Sequence, residues 1–103
     1  MKFMKRLKDT CSPLNLGLAY RAKKLVHGTE NSLTAIKSKQ ATLVIIAADA
    51  SANTIKKITD KAQFYQIDYL IGFETKILSK AIGKSNIKVV SLLDEGFKKM
   101  FTQ

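Results

Sequence analysis

The spacing of apolar residues along the chain switches repeatedly between the period of a strand and that of a helix. The run TLVIIAA, residues 42–48, is unbroken, rich in β-branched side chains and bounded by polar residues. Such a run is typical of a strand covered on both faces, and it predicts the centre of a sheet. DYLIGF (68–73) and IKVVSLL (87–93) predict two further strands.

Helical spacing precedes the central strand. A first helix is predicted to begin at Ser12 and Pro13 and to end at Gly28, although Leu25 and Val26 also suit a short strand. The apolar face of this helix comprises Leu18, Ala19, Ala22, Leu25 and Val26.

Four more helices are predicted. The second covers about Asn31 to Ser38. Ser51 caps the third, Gly83 closes the fourth, and Asp94 caps the last. Residues expected to face inward are Leu33 and Ile36 in the second; Ile55, Ile58, Ala62 and Tyr65 in the third; Ile77, Leu78, Ala81 and Ile82 in the fourth; and Phe97, Met100 and Phe101 in the last.

Helices that alternate with strands over short connections indicate a layered α/β domain, with helices on both faces of a small sheet. At 103 residues, 46% of them hydrophobic, the chain suits a single domain spanning residues 1–103. No linker, repeat or low-complexity segment divides the sequence.

The charge narrows the class of partner. Eighteen Lys and Arg residues against eight Asp and Glu give a formal net charge of +10, which favours polyanions such as nucleic acid or an anionic membrane surface. Apolar runs are too short for export or membrane spanning, so no membrane is expected as a partner. The basic turn containing Phe3, Met4 and Leu7 is expected to be a frayed terminus or a packing element. Cys11 has no second cysteine to pair with, which favours a reduced, cytoplasmic setting.

Residues that could carry catalysis do not combine into a recognisable site. His27 has no acidic or thiol partner at a known spacing, and one Cys with one His cannot form a metal site. GKS at 83–85 resembles the end of a phosphate-binding loop, but Leu78 stands where that motif needs a glycine. Asp49, just beyond the central strand, is expected to be a turn or capping residue. The sequence therefore predicts neither an enzyme nor a cofactor.

The segment HGTENSLTAI, residues 27–36, is a polar and lightly charged helix start in a basic chain. A helix N-terminus offers free N–H groups and partial positive charge to phosphates or base edges. The chain has no Trp, and its aromatic residues occupy apolar periodic positions, so a base-stacking sheet is not indicated. Structured RNA contacted through backbone charge and a helix end is the better match.

Four blocks spread over nearly the whole chain resemble a known superfamily. They are LGLAYRAKKLVHG, LVIIAADASANTIKK, AIGK and VVSLLDEGF. The resemblance is to small ribosomal and kink-turn RNA-binding proteins, including ribosomal proteins L-seven-Ae and L-thirty-e, and within them to the bacterial YlxQ-type members. It implies a three-layer α-β-α sandwich around a mixed four-stranded sheet, with KLVHG as a short first strand.

The resemblance also implies a site. In the kink-turn binders, a Gly-small-Asn-Glu-x-x-Lys pattern opens the second helix and reads tandem sheared G·A pairs, and the loop before the last strand touches a flipped nucleotide. Gly28 and Thr29 match this pattern, whereas Glu30, Asn31 and Thr34 stand where the family has Asn, Glu and Lys. The loop corresponds to Lys84, Ser85, Asn86 and Ile87. These departures weaken the expectation of standard kink-turn reading, although Lys37, one turn beyond Thr34, can partly substitute for the lost lysine.

Two functions remain open from the sequence. The first is binding of structured RNA, ribosomal or otherwise non-coding, without DNA specificity. The alternative is a non-enzymatic ribosome-associated or RNA-modification adaptor that binds a protein. The position of the cations in the fold separates them: convergence around Gly28 favours RNA, and an even spread favours the adaptor. The lysines concerned are Lys24, Lys37, Lys39, Lys84 and Lys88.

Overall fold

The computed structural model describes residues 3–5 and 12–102. In chain order the elements are α1 (Leu14–Arg21), β1 (Leu25–His27), α2 (Thr29–Lys37), β2 (Leu43–Ile46), α3 (Ala52–Phe64), β3 (Asp68–Ile71), α4 (Thr75–Ala81), β4 (Val89–Leu92) and α5 (Glu95–Lys99). Leu7 and Cys11, which entered the sequence analysis, lie outside the described residues.

The four strands form one mixed sheet in the order β1-β4-β2-β3. β2 and β3 are parallel, whereas β4 is antiparallel to both β1 and β2. All four residues of β2 are buried, as the unbroken apolar run predicted, because this strand is paired on both sides and covered on both faces. The prediction that TLVIIAA forms the centre of the sheet is therefore confirmed.

Helices cover the sheet in two groups. α2 packs against α3, and α1 packs against α4, while α5 contacts β4. The result is the three-layer α-β-α sandwich with a mixed four-stranded sheet that the resemblance implied. At the edge of the sheet, the Tyr69 N–H of β3 donates to the Phe3 carbonyl at 2.9 Å and the Lys5 N–H donates to the Tyr69 carbonyl at 2.7 Å, so residues 3–5 pack against β3.

The first helix differs from its prediction. It ends at Arg21, and Leu18 and Ala22 are exposed, while Leu16 and Ala19 are buried. The cause is local, because Lys23 adopts a positive φ of 61° and its N–H bonds back to Tyr20 at 3.0 Å. The chain then extends, so the predicted alternative of a short strand is confirmed for Leu25 and Val26.

The other helices follow the predicted pattern with small differences. Ser51 Oγ accepts from the Thr54 N–H at 3.2 Å, and Asp94 Oδ2 accepts from the Phe97 N–H at 3.3 Å, which confirms both predicted caps. α2 begins at Thr29, two residues before the predicted start. Met100 was expected to face inward and is exposed, because α5 ends at Lys99 and only Phe101 of the following turn is fully buried. Ile77 was also expected to face inward and is exposed, because it lies at the surface of α4 beside Leu14 of α1.

Within the part of the chain that the structure describes, no helix combines the length and the apolar character needed to cross a membrane.

Candidate nucleic-acid interface

The entrance of α2 is built on Gly28. Its backbone angles, φ 92° and ψ 155°, lie in a region that is essentially restricted to glycine. The Gly28 N–H donates to the Val89 carbonyl at 2.8 Å, and the Gly28 carbonyl accepts from the Ser32 N–H at 3.0 Å. One residue therefore starts α2 and ties its N-terminus to the first residue of β4.

The exposed face of α2 carries the remaining residues of the predicted motif. Asn31 donates from Nδ2 to the His27 carbonyl at 3.0 Å, and Thr34 donates from Oγ1 to the Glu30 carbonyl at 3.1 Å. Leu33 and Ile36 are buried on the other side, as predicted. The solvent-facing residues of the helix are Glu30, Asn31, Thr34 and Lys37.

The loop before β4 lies beside this entrance, because Val89 follows it directly. Ile87 is buried, and its N–H donates to Ser79 Oγ at 2.8 Å, which anchors the loop to α4. Asn86 adopts a positive φ of 59°. Lys84, Ser85 and Asn86 are exposed, so the loop presents one cation and two uncharged polar side chains to solvent.

A ring contact joins the same loop to β1. Lys84 Nζ lies 5.8 Å from the centre of the Tyr20 ring, which in turn meets the His27 ring edge-on at 5.7 Å. His27 is a half-buried residue at the end of β1.

Asp49 and Lys88 meet at the N-terminus of α4. Asp49 Oδ1 accepts from the Thr75 hydroxyl at 2.7 Å and from the Thr75 N–H at 2.8 Å, so Asp49 is a capping residue. The hydroxyl bond is the larger reason, and the backbone bond the next, that the pKa of Asp49 is held below its usual value. Lys88 Nζ donates to the same Thr75 oxygen at 3.2 Å.

The five lysines named from the sequence do not converge around Gly28, so the placement of these five residues does not by itself favour RNA over a protein-binding adaptor. Lys84 and Lys88 lie at the same end of the sheet as Gly28, in the 84–88 loop that precedes Val89. Lys24 lies at the opposite end, where its carbonyl accepts from the Leu93 N–H at 2.8 Å. β1 carries the chain across the sheet to Gly28, and the nine residues of α2 then carry Lys37 and Lys39 roughly 13 Å away from the entrance.

Three other lysines, not identified as site residues from the sequence, lie beside the start of α2 or beside the 84–88 loop. Lys57 of α3 approaches Glu30, with 3.5 Å between Nζ and Oε1, because α3 packs against α2. Lys76 and Lys80 of α4 line the same shallow groove as Lys84 and Lys88. The spacing of Lys76 and Lys80 on one helical face is visible in the sequence, but their proximity to the loop is not.

The surface offers hydrogen-bonding and cationic groups. Among the residues that the structure describes, no three His, Cys, Asp or Glu side chains gather in a way that could hold a metal ion. Such a surface suits a polyanion that also exposes hydrogen-bonding groups. Backbone N–H groups, hydroxyls, amides and ammonium groups can bind it through hydrogen bonds and ion pairs, without covalent chemistry.

Comparison with known proteins identifies relatives of the whole fold. Residues 14–102 match the model of the ribosomal protein L7Ae/L30e/S12e/Gadd45 family. The RNA-binding protein YlxQ of Bacillus subtilis (strain 168) is 42% identical over 82 residues, which cover 80% of this chain and 82% of that protein. The RNA-binding protein YlxQ of Enterococcus faecium is 39% identical over 84 residues, covering 82% and 81%.

Two solved structures share the fold. A Bacillus halodurans protein of unknown function superposes with a TM-score of 0.81 at 39% identity, covering 85% of this chain and 90% of that chain. A 15.5 kD RNA-binding protein of Giardia lamblia shares the fold, with a TM-score of 0.71 at 19% identity over 85% of this chain and 76% of that one.

Proposed function

Because the chain belongs to the ribosomal protein L7Ae/L30e/S12e/Gadd45 family, we propose that it binds structured RNA through the entrance of α2 and the loop before β4. The relatives that carry a functional name are RNA-binding proteins, which supports the class of partner. The RNA is a ribosomal or other non-coding RNA, and the binding takes place in the cytoplasm.

The observation that carries the proposal is the hydrogen bond from the Gly28 N–H to the Val89 carbonyl. It holds the polar start of α2 and the polar loop at 84–88 side by side, although some sixty residues separate them along the chain. Two polar segments held together at one end of a rigid sheet can contact one RNA site together.

The uncharged and the charged groups on this surface suit different parts of an RNA. Uncharged side chains, such as those of Asn31, Ser85 and Asn86, can reach base edges, and the N-terminus of α2 adds a partial positive charge. The cations around them suit phosphates. They are Lys57, Lys76, Lys80, Lys84 and Lys88.

The departures from the kink-turn pattern are partly compensated in this arrangement. Glu30 places a carboxylate where RNA phosphates approach, and Lys57 lies 3.5 Å from it, which reduces the repulsion. Thr34 lacks the charge of the family's lysine, and Lys37, one turn later on the same exposed face of α2, lies at the far end of the helix from the entrance and does not replace that charge. We therefore propose that an RNA with tandem sheared G·A pairs is bound in preference to a plain duplex.

The salt dependence of binding tests the proposed surface. Fluorescence titrations of an RNA hairpin with tandem G·A pairs, over a series of salt concentrations, give the slope of log affinity against log salt. Lys84→Ala and Lys88→Ala should each reduce this slope by about one, because each removes one phosphate contact. Lys24→Ala is the matched control, since it removes the same charge at the opposite end of the sheet and should leave the slope unchanged.

Two results would count against the proposal. Affinity that ignores salt between low and physiological concentration would remove RNA as the partner and favour a protein-binding adaptor. Equal effects of Lys24→Ala and Lys84→Ala would leave non-specific attraction to a basic protein as the explanation.

A further inference from the structure

Helices α1 and α4 approach each other closely on the face away from α2 and α3. A Cβ atom built on Gly17 would lie 2.6 Å from the Ala81 carbonyl oxygen, which is closer than real Cβ contacts allow. Glycine at this position therefore lets the two helix backbones touch, and a groove runs along each side of their contact.

The two grooves share Leu14 and Ala81 and are called together the α1–α4 groove. This groove is apolar, whereas a solvent-facing surface is expected to be polar. Leu14 and Leu18, one turn apart on α1, are 74% and 46% exposed, and Ile77 on α4 is 37% exposed. Leu14 and Ala81 line both sides of the helix contact, so these side chains form one continuous strip. A contiguous apolar strip with polar edges is typical of an interaction surface.

Cations stand at the edges of this strip. Arg21, in the last turn of α1, lines one side, and Lys80 of α4 lines the other. Both are exposed, and neither has an acidic partner within the described residues. The groove therefore combines an apolar floor with unpaired positive charge.

We propose that the α1–α4 groove binds an acidic amphipathic helix of a partner protein. Apolar residues at helical spacing on such a helix would cover Leu14, Leu18 and Ile77, and its flanking carboxylates would pair with Arg21 and Lys80. A second copy of this chain is a poor occupant, because each copy carries a net charge of +10. RNA would satisfy the cations but would leave the leucines and the isoleucine without apolar partners.

This groove lies beside the proposed RNA surface and does not depend on it. Lys80 lines both, but Leu14, Leu18 and Arg21 line only the α1–α4 groove. Variants at these three positions therefore test the groove separately from RNA binding.

The probe is a synthetic peptide of about 16 residues, enough for four helical turns, with Leu at positions i, i+3, i+4 and i+7 and Glu beside them. Titration into the isotopically labelled full chain should shift the amide signals of Leu14, Leu18 and Ile77. Leu18→Ser should weaken the peptide's affinity by about tenfold, because it removes a buried apolar contact. Phe64→Ser, which changes an exposed aromatic on α3, is the matched control and should have no effect.

Charge reversal checks the chemistry of the partner. Arg21→Glu should weaken binding of the acidic peptide and strengthen binding of a peptide with Lys in place of Glu. The same variants should leave RNA affinity unchanged, so failure of this proposal is distinguishable from failure of the RNA proposal.

Several outcomes would overturn it. A peptide of the same composition in scrambled order could bind equally well, or the shifts could fall on α2 and the 84–88 loop. Sedimentation could show a dimer that Leu14→Ser dissociates, which would make a second copy the occupant. Loss of RNA affinity in Leu14→Ser would assign the groove to RNA.

Discussion

Thr34 is an exposed residue of the proposed RNA-binding surface whose substitution should leave the fold unaffected. It lies on the solvent face of α2, and its hydroxyl donates to the Glu30 carbonyl one turn earlier at 3.1 Å. This bond satisfies the hydroxyl locally and supports no other element. A longer side chain at this position would extend toward the helix entrance, because helical side chains point toward the N-terminus.

We expect Thr34→Lys to strengthen binding of an RNA with tandem sheared G·A pairs by about 1 kcal/mol. The added ammonium would reach the groove of the bound RNA that Asn31 is proposed to face. The gain in affinity for a plain duplex should be distinctly smaller. Titrations of both RNAs at one salt concentration measure the difference. Glu30→Asn should act in the same direction, because it removes a negative charge that faces phosphates.

Thr34→Gln is the control for this experiment, since it adds length and polarity without charge. Equal gains on both RNAs would indicate attraction to phosphate alone. No gain on either RNA would move the RNA-binding surface away from α2.

Asp49 makes a second prediction at the level of one residue. Its carboxylate accepts two hydrogen bonds from Thr75, and these hold the pKa of Asp49 below its usual value. A carboxyl whose pKa is lowered by folding stabilises the native state at neutral pH. That contribution is lost as the pH falls below the unfolded value of about 4 and through the lowered pKa.

Urea unfolding from neutral pH down to acid pH measures this contribution. Asp49→Asn should be less stable than the unchanged protein at pH 7, and the difference should shrink as the pH falls, because protonation removes the same charge. Glu74→Gln is the matched control, since Glu74 precedes the same helix and makes no capping hydrogen bond. A difference for Asp49→Asn that stays constant over the whole pH range would contradict this account.

At the level of elements, the sequence predicts strands and caps better than helix ends. An unbroken apolar run such as 42–48 can only be buried on both faces, and Ser51 and Asp94 carry their capping oxygens in the right place. The end of α1 depends instead on a backbone turn at Lys23 with a positive φ, which a lysine does not announce. The helical spacing of apolar residues therefore extends through Leu25 and Val26, which the structure places in β1.

Gly28 joins two elements, and its substitution should show this. In Gly28→Ala no atom lies within 4 Å of the new Cβ, so the cost comes from the backbone angles and not from a clash. We expect a loss of about 2 kcal/mol in the free energy of unfolding. RNA affinity should also fall, because the bond to Val89 aligns α2 with the loop.

Gly83→Ala is the matched comparison. Gly83 also has open space around it, but its φ of 70° is one that other residues adopt at helix ends. Its cost should be about 1 kcal/mol, with RNA affinity unchanged. Equal losses of stability and RNA affinity in both variants would show that Gly28 has no special role in aligning the two elements.

At the scale of the whole molecule, the sequence identifies the polar residues of the candidate site but not their grouping. Lys24 and Gly28 are close in the chain, yet β1 separates them across the sheet, and Leu25 pairs with Leu92 while His27 pairs with Val90. Lys57, Lys76 and Lys80 reach the site only through helix packing. Register and packing are long-range properties, so spacing along the chain could not supply them.

The excess of positive charge leads to a prediction for the whole molecule. With a net charge of +10, the folded chain repels itself, and salt should weaken that repulsion more than it weakens the few surface ion pairs. Raising NaCl from about 50 mM to about 500 mM should therefore raise the Tm of the free protein. The same change should abolish the rise in Tm that bound RNA produces, because RNA binding releases counterions.

Lys24→Gln combined with Lys37→Gln tests the origin of both effects. This variant lowers the net charge by two at the end of the sheet away from Gly28, so the salt-dependent gain in Tm should be smaller while the RNA-dependent gain persists. Thermal unfolding with and without RNA at both salt concentrations gives four Tm values for each protein, from which both gains are calculated. A free protein whose Tm falls with salt would show that its ion pairs outweigh its self-repulsion, and a lost RNA-dependent gain in the variant would extend the RNA surface along α2 to Lys37 or across the sheet to Lys24.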